Sequence, residues 1–304
     1  MDKRIKALRR FALAITILNI LGHTWLSFEQ SVAQLLTALA TCYILEIAFE
    51  LISAKLQKRD TVFKSGIKNS IDFLLPAHIT GLAIGMLIYS NSNILPYVFA
   101  AAVAVSSKEI FKVTIKGKKK HFLNPSNTGI AVVLLLFPWV GISPPYQFTE
   151  NVSGSLDWVI PGIILFTGTL LNTALTGKIP LILAWGGVFV IQAIVRSWWF
   201  GSENLATLFP LTGMSFMLFT FYMITDPGTT PSSKKGQFIF GGSVAALYGL
   251  YASLGIVFTF FFALVTVCIA RGVCIALGNA YAALNEEKSK ITANELEVTK
   301  EASV

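Results

Sequence analysis

LGIVFTFFFALVTVCIARGVCIA, residues 254–276, carries a single charge, Arg271. Three consecutive phenylalanines amid valine, isoleucine and leucine leave no face for water. The stretch reads as a helix crossing a bilayer, where about twenty apolar residues cover the hydrocarbon. The rest of the chain agrees. Of 304 residues, 54% are hydrophobic types and only 13% are charged, against roughly 25% charged in an ordinary soluble domain. With 23 Phe and 6 Trp among so few charges, a water-soluble globule would expose apolar patches that soluble monomers rarely carry. Disorder and fibrous classes are excluded by the same composition.

Working outward, similar apolar segments run over 11–26, 31–54, 72–89, 93–111, 125–141, 157–174, 178–197, 207–224 and 236–252, with 254–276 as the last. Helices are the expected solution, because lipid offers backbone groups no partners. The expectation is an all-α integral membrane protein of about ten transmembrane helices, 11–276, between a short N-terminus, 1–10, and a polar tail, 277–304. The basic residues cluster between segments: Lys3 to Arg10, Lys55 to Lys68, Lys112 to Lys120, Lys178, and Lys234 with Lys235. Ten crossings put all of these on one side, with both termini cytoplasmic by the positive-inside bias. Trp25, Trp139, Trp158, Trp198 and Trp199 then fall near the opposite interface, with Trp185 deeper. The basic clusters form no base-reading module, so no nucleic-acid partner is expected. The partner that composition demands is membrane lipid. Cys42, Cys268 and Cys274 lack metal or redox spacing and read as small buried hydrophobes.

LLPAHITGLAIG (74–85) and LFPLTGMSFM (208–217) share a Leu, a Pro and a Thr-Gly five segments apart. That spacing suggests a five-plus-five inverted repeat, 11–141 and 157–276, with discontinuous helices at its centre.

Ionisable groups inside apolar segments are expensive and mark function by default. Glu46 and Glu50 stand four apart on one helix face, with Lys55 a candidate partner for Glu50. Glu46, deeper, is a candidate for cation coordination, proton relay or a structural hydrogen bond. Lys108 and Glu109 lie near the end of the fourth segment, and Asp72 is placed to cap the third. His23, His78 and His121 have no partners at metal or haem spacing, so no metal site is expected. Two polar stretches stand out. HFLNPSNTG (121–129) opens a segment with Asn124, Pro125 and Thr128, and backbone N–H groups at such a helix mouth suit an anion or a ring carbonyl. YMITDPGTTPSSKKG (222–236) brings Thr225, Asp226, Lys234 and Lys235. Together these residues form a candidate cofactor pocket for a flavin edge or phosphate. The plainer reading is a pair of capped turns.

These stretches also carry a resemblance. The chain resembles the membrane subunits NqrB and RnfD of sodium-pumping NADH:quinone oxidoreductases and Rnf electron-transport complexes. HFLNPSNTGI (121–130) is similar to that family's F-N-P segment, with Leu123 in place of its Phe. YMITDPGTTPSSKKGQFIFG (222–241) is similar to its F-x-x-T-D-P-x-T segment. Ile79–Leu82 and Lys178–Leu181 resemble shorter family pieces, so that the likeness runs from about 74 to 265. It implies a ten-helix fold, a place in the bacterial cytoplasmic membrane, partner redox subunits, and electron transport through flavins. In that family FMN is commonly attached to the threonine of an S-G-A-T motif. Here the corresponding stretch is Ser153-Gly154-Ser155-Leu156, and an alkyl side chain cannot form the phosphoester. The cofactor implied is therefore FMN or riboflavin held without a covalent bond. The divergence resembles that of the stand-alone branch associated with enediyne biosynthesis.

Two functions follow as alternatives. One is a redox membrane subunit, in which Asn124, Thr128, Thr225 and Asp226 hold the flavin's polar atoms and Lys234 or Lys235 a phosphate, with possible ion coupling. The other is a small-molecule or cofactor transporter on the same scaffold. No Rossmann fingerprint or P-loop is present, which places any NADH or ATP chemistry on another chain.

Overall fold

The computed structural model describes residues 3–144, 147–201 and 203–301. The extreme ends of the expected N-terminal segment and tail, 1–2 and 302–304, lie outside the described residues, as do the tail side chains from 290 onward. The chain is largely helical: α1 (Lys3–Thr24), α2 (Val32–Leu56), α3 (Ile67–Leu87), α4 (Leu95–Ile110), α5 (Pro125–Leu136), α6 (Leu156–Leu171), α7 (Ile179–Trp199), α8 (Met214–Leu218), α9 (Lys234–Ser253) and α10 (Thr259–Glu301). A π-helical turn, Asn172–Thr176, extends α6, and another, Phe219–Met223, extends α8. Two short antiparallel pairs complete the set: β1 (Ile88–Tyr89) with β4 (Gly141–Ile142), and β2 (Lys112–Ile115) with β3 (Lys118–His121).

Local chemistry sets the helix starts. Ser31 and Gln34 close a reciprocal capping box before α2, satisfying two donors that a helix N-terminus otherwise leaves open. Asn124 caps α5, with Pro125 just inside it, and Ser233 caps α9. Asp72 does not cap α3. That helix begins five residues earlier, and Asp72 instead takes Arg9 of α1 at 2.6 and 2.9 Å.

The expectation of ten spans is corrected. Among the described residues five helices are long and apolar enough to cross a membrane: Val32–Leu56, Ile67–Leu87, Leu156–Thr176, Ile179–Trp199 and Thr259–Ser289. A sixth arises only if Ala206–Thr212 and Met214–Met223, which meet at 64°, are taken as one span. The reasons are physical. Helix α4 has 16 residues and α5 has 12, about 24 and 18 Å of rise against a hydrocarbon core of about 30 Å. Helix α1 carries its cluster of basic residues within its first turns, and α9 opens on Lys234 and Lys235. Five crossings put the two termini on opposite sides and six put them on the same side, so the shared side expected from ten no longer follows from the count.

The inverted repeat is corrected with it. Pro76 sits inside the unbroken α3, whereas its counterpart Pro210 lies in a 3₁₀ stretch, Glu203–Thr212, next to the sharp bend. Two segments alike in sequence thus fold differently.

The core is divided. In the second half, Trp185 is fully buried and donates to Thr220 Oγ1 at 2.9 Å. Phe189, Phe216, Phe219, Tyr248 and Phe260 surround it, with ring centroids 5.2 to 6.2 Å away. In the first half, α2, α3, α4 and α5 approach closely through small residues. Gly81 faces the Leu39 backbone, and Gly129 faces the Ala100 carbonyl and Ala104. A larger side chain at either glycine would force the helices apart. Cys42 and Cys268 are buried, as expected; Cys274 is exposed.

Candidate functional site

The division of the core leaves a cavity of about 850 Å³. Along α3 its lining runs from Asn69 and Asp72 through Pro76, Thr80 and Ala83 to Met86 and Leu87. Opposite, α1 contributes Ile5, Leu8, Phe11, Ile15 and Leu18, an i, i+3, i+4 pattern that turns one apolar stripe inward. The far side of α1 is outward, with Leu13, Ile17 and Ile20 each 46 to 61% exposed. Helix α1 is therefore a wall one helix thick.

The two polar stretches meet at one end of this cavity. Asn124 is buried, and its Oδ1 accepts from Asn127 N at 3.2 Å and Ser126 Oγ at 3.1 Å. Its Nδ2 donates to Met223 O at 3.1 Å, which ties the Asn-Pro turn to the segment leading into the Asp-Pro turn. There Thr225 Oγ1 donates to Phe221 O at 2.8 Å. Asp226 Oδ1 accepts from Gly228 N at 3.0 Å and Oδ2 from Thr229 Oγ1 at 2.8 Å. Asn124, Ser126, Thr225 and Asp226 all line the cavity, together with His121 at the end of β3.

Not every expected site residue joins them. Thr128 is buried one turn into α5, where its hydroxyl donates to Asn124 O at 2.7 Å. It supports the turn without lining the cavity. Lys234 and Lys235 are exposed at the start of α9 and also lie outside the lining. The loop they flank is held instead by two cations that the spacing did not single out as site residues. Lys178 Nζ donates to Pro231 O at 2.8 Å, and Arg271 Nη1 donates to Thr229 O at 2.6 Å. Lys178 is buried, and burial pulls its amine down to about 8, with Asp226 opposing that shift and Arg271 adding to it.

The ionisable residues sort in the same way. Glu46 and Lys108 line the cavity and pair at 2.7 and 2.8 Å, each side chain only 11 to 12% exposed. Glu50 is bound not by Lys55 but by Arg59, at 2.7 and 2.8 Å, and it also accepts from Val62 N at 2.9 Å. It fastens the α2–α3 connection. Glu109 pairs with Lys112 at 2.6 Å on the surface.

Aromatic rings supply much of the remaining wall. Phe11 stacks on Tyr222 with centroids 5.5 Å apart, and Phe73, Phe219 and Phe260 also line the space. Phe11 and Tyr222 are 211 positions apart in sequence, and no periodicity within either segment could pair them. A cavity with apolar walls and a few convergent polar groups has the composition of a small-molecule site.

No curated protein matches the chain. Its residues 143–258 match the NQR2, RnfD, RnfE family. That stretch includes the Asp-Pro turn and Leu156 but begins after the Asn-Pro turn. The chain is a multi-pass membrane protein related to the NQR2, RnfD, RnfE family through residues 143–258.

Proposed function

We propose that this protein is a membrane electron-transport subunit that holds a flavin non-covalently in the cavity between the two proline turns. The observation that carries the reading is the convergence of Asn124, Ser126, Thr225 and Asp226 on an aromatic-walled space of about 850 Å³. The rings suit a flat tricyclic group, and the hydroxyls, amide and carboxylate suit its polar edge. A flavin bound there would supply one- and two-electron chemistry. The protein's part is to exclude water with the α1 wall, orient the ring, and set the charge around it.

The charges discriminate between flavins. Among the described residues, Lys108 is the one lysine or arginine that lines the cavity, and Glu46 already occupies it. Glu46, Asp72 and Asp226 put three carboxylates on the same lining. A phosphate dianion would enter with no uncommitted lysine or arginine to receive it, which costs heavily at low dielectric. Lys234 and Lys235, expected to meet it, are elsewhere. The residues therefore fit riboflavin and not FMN.

Flavin absorbance and fluorescence of the gently purified protein test the reading. Expected is a bound flavin, or uptake on reconstitution, with riboflavin at least about tenfold tighter than FMN, a preference of about 1.4 kcal/mol. Absence of any flavin binding would overturn it. The apolar length of the cavity favours a second reading, a carrier for an apolar small molecule. Solute uptake into liposomes without any bound flavin would select that one.

A further inference from the structure

Helices α1 and α3 run side by side in the same direction. Arg9 meets Asp72 at 2.6 and 2.9 Å, Thr16 Oγ1 meets His78 Nε2 at 2.8 Å, and Asn19 Nδ2 lies 3.9 Å from Met86 Sδ. Each step along α1 is thus matched by a step along α3. Their inner faces line the large cavity. Their outer faces leave a second, shallower hollow of about 380 Å³. Ala12, Leu74 and Leu75 form its apolar bed, and Leu13 and Ile71, 61 and 54% exposed, form its two rims.

The two ends of this groove differ. At one end Thr16 of α1, Tyr43 of α2 and His78 of α3 close it. Thr16 Oγ1 donates its proton to Ala12 O at 2.7 Å. In the neutral His78 ring the proton therefore lies on Nε2, toward Thr16, and Nδ1 accepts from the Tyr43 hydroxyl at 2.6 Å. These polar groups are already committed to one another, so this end calls for hydrocarbon beside it.

The other end is basic. Arg9 lines it and is matched by Asp72. On α1, Lys6 stands four residues before Arg10, and Arg10 three before Leu13. On α3, Lys68 stands three before Ile71. These are the spacings of one helix face, so the cations continue the two rims past the end of the apolar bed. Lys6, Arg10 and Lys68 are all exposed. Asp60, in the connection leading to α3, is taken by Lys64 at 2.5 Å. The mouth of the groove thus holds three cations in surplus of the Arg9–Asp72 pair. From Arg9 to Thr16 is about 10 Å of helix. An apolar slot of that length leading from a cationic mouth matches an anionic head joined to a hydrocarbon chain. A free anion gains nothing from the bed, and a lipid without net charge gains little from the cations.

We propose that this outer groove binds an anionic phospholipid, with its phosphate among Lys6, Arg10 and Lys68 and the upper part of an acyl chain between Leu13 and Ile71. Bound there, the lipid bridges α1 to α3 and holds the one-helix wall of the cavity in place. The site does not depend on the flavin reading.

Native mass spectrometry tests it on the full chain, delipidated in detergent and offered equal amounts of phosphatidylglycerol and phosphatidylcholine with the same chains. Expected is one retained phosphatidylglycerol, preferred at least about tenfold. Lys6→Gln, Arg10→Gln and Lys68→Gln together remove the preference. Lys116→Gln, Lys118→Gln and Lys119→Gln together make the same change of charge on the β2–β3 hairpin and keep it. Glycerophosphoglycerol, the headgroup without chains, does not displace the lipid. Equal retention of the two lipids, a preference that survives in the groove variant, or one lost in the hairpin variant would overturn the site. Displacement by the headgroup alone would overturn the role of the apolar bed and leave only a surface phosphate contact. Should either variant fail to fold, the wild-type preference and the headgroup competition decide.

Discussion

Glu46 and Glu50 stand one turn apart on α2, and each carries an ion pair, yet the two pairs belong to different regions. Glu46 meets Lys108 inside the cavity, with both side chains largely removed from solvent. Glu50 is as buried, but its partner Arg59 is 37% exposed and comes from the connecting loop. The first pair is a fixed dipole in the wall of a binding space. The second is a fastener between two helices, completed by the Val62 N–H. The difference teaches that a carboxylate in an apolar segment is not read by its own depth. Its role follows from where its partner stands.

Breaking the inner pair has the largest expected effect. Lys108→Met strands the Glu46 carboxylate in the cavity wall and should lower stability by about 3–5 kcal/mol, as for other buried pairs that lose one member. Thermal unfolding in detergent measures it. Adding Glu46→Leu to Lys108→Met should recover most of the loss, because two apolar residues leave no stranded charge. If the single and double variants melt alike, the inner pair is not desolvated as described.

The outer pair should respond less. Glu50→Gln keeps an oxygen for Val62 N and releases Arg59 to water, so the melting temperature drops by less than in Lys108→Met. That drop should shrink further in high salt, which screens the half-exposed partner. A larger loss than at Lys108 would reverse the comparison.

The smallest effect concerns Lys178, a buried cation hydrogen-bonded to a carbonyl. Its folded-state value of about 8 lies below the ordinary lysine value of 10.5. Below pH 8 it is charged in both folded and unfolded chains. Between these values the unfolded chain binds the extra proton, so stability rises with pH. Melting measured from pH 7.5 to 10 should show this rise in the wild-type protein and a flatter profile in Lys178→Met.

Several of these features were legible in the sequence. The two proline turns were picked out by their own residues, because Asn before Pro and Asp before Pro-Gly announce caps and turns locally. Glu46 and Lys108 were flagged by the cost of charge in apolar segments. Their pairing was not legible, since 62 residues separate them. Lys55 was the natural partner for Glu50 by spacing, but Arg59 reaches back around the end of the helix. Lys234 and Lys235 looked like phosphate ligands because they follow the turn. Their positions at the start of α9 point them away, while Lys178 and Arg271 arrive from other helices to hold the same loop.

Composition and local residue order by themselves determined the solvent, the helical class and the two turns, because burial preference belongs to residue types and turn chemistry to neighbouring residues. Apolarity counted by segment did not determine how many crossings there are, since that depends on where helices start, stop and bend. Only the tertiary structure decided which turns face each other, which charges are paired, and that a single helix, α1, closes the space between them. Those are contacts across tens or hundreds of residues, and no local pattern encodes a distance between two places in the chain.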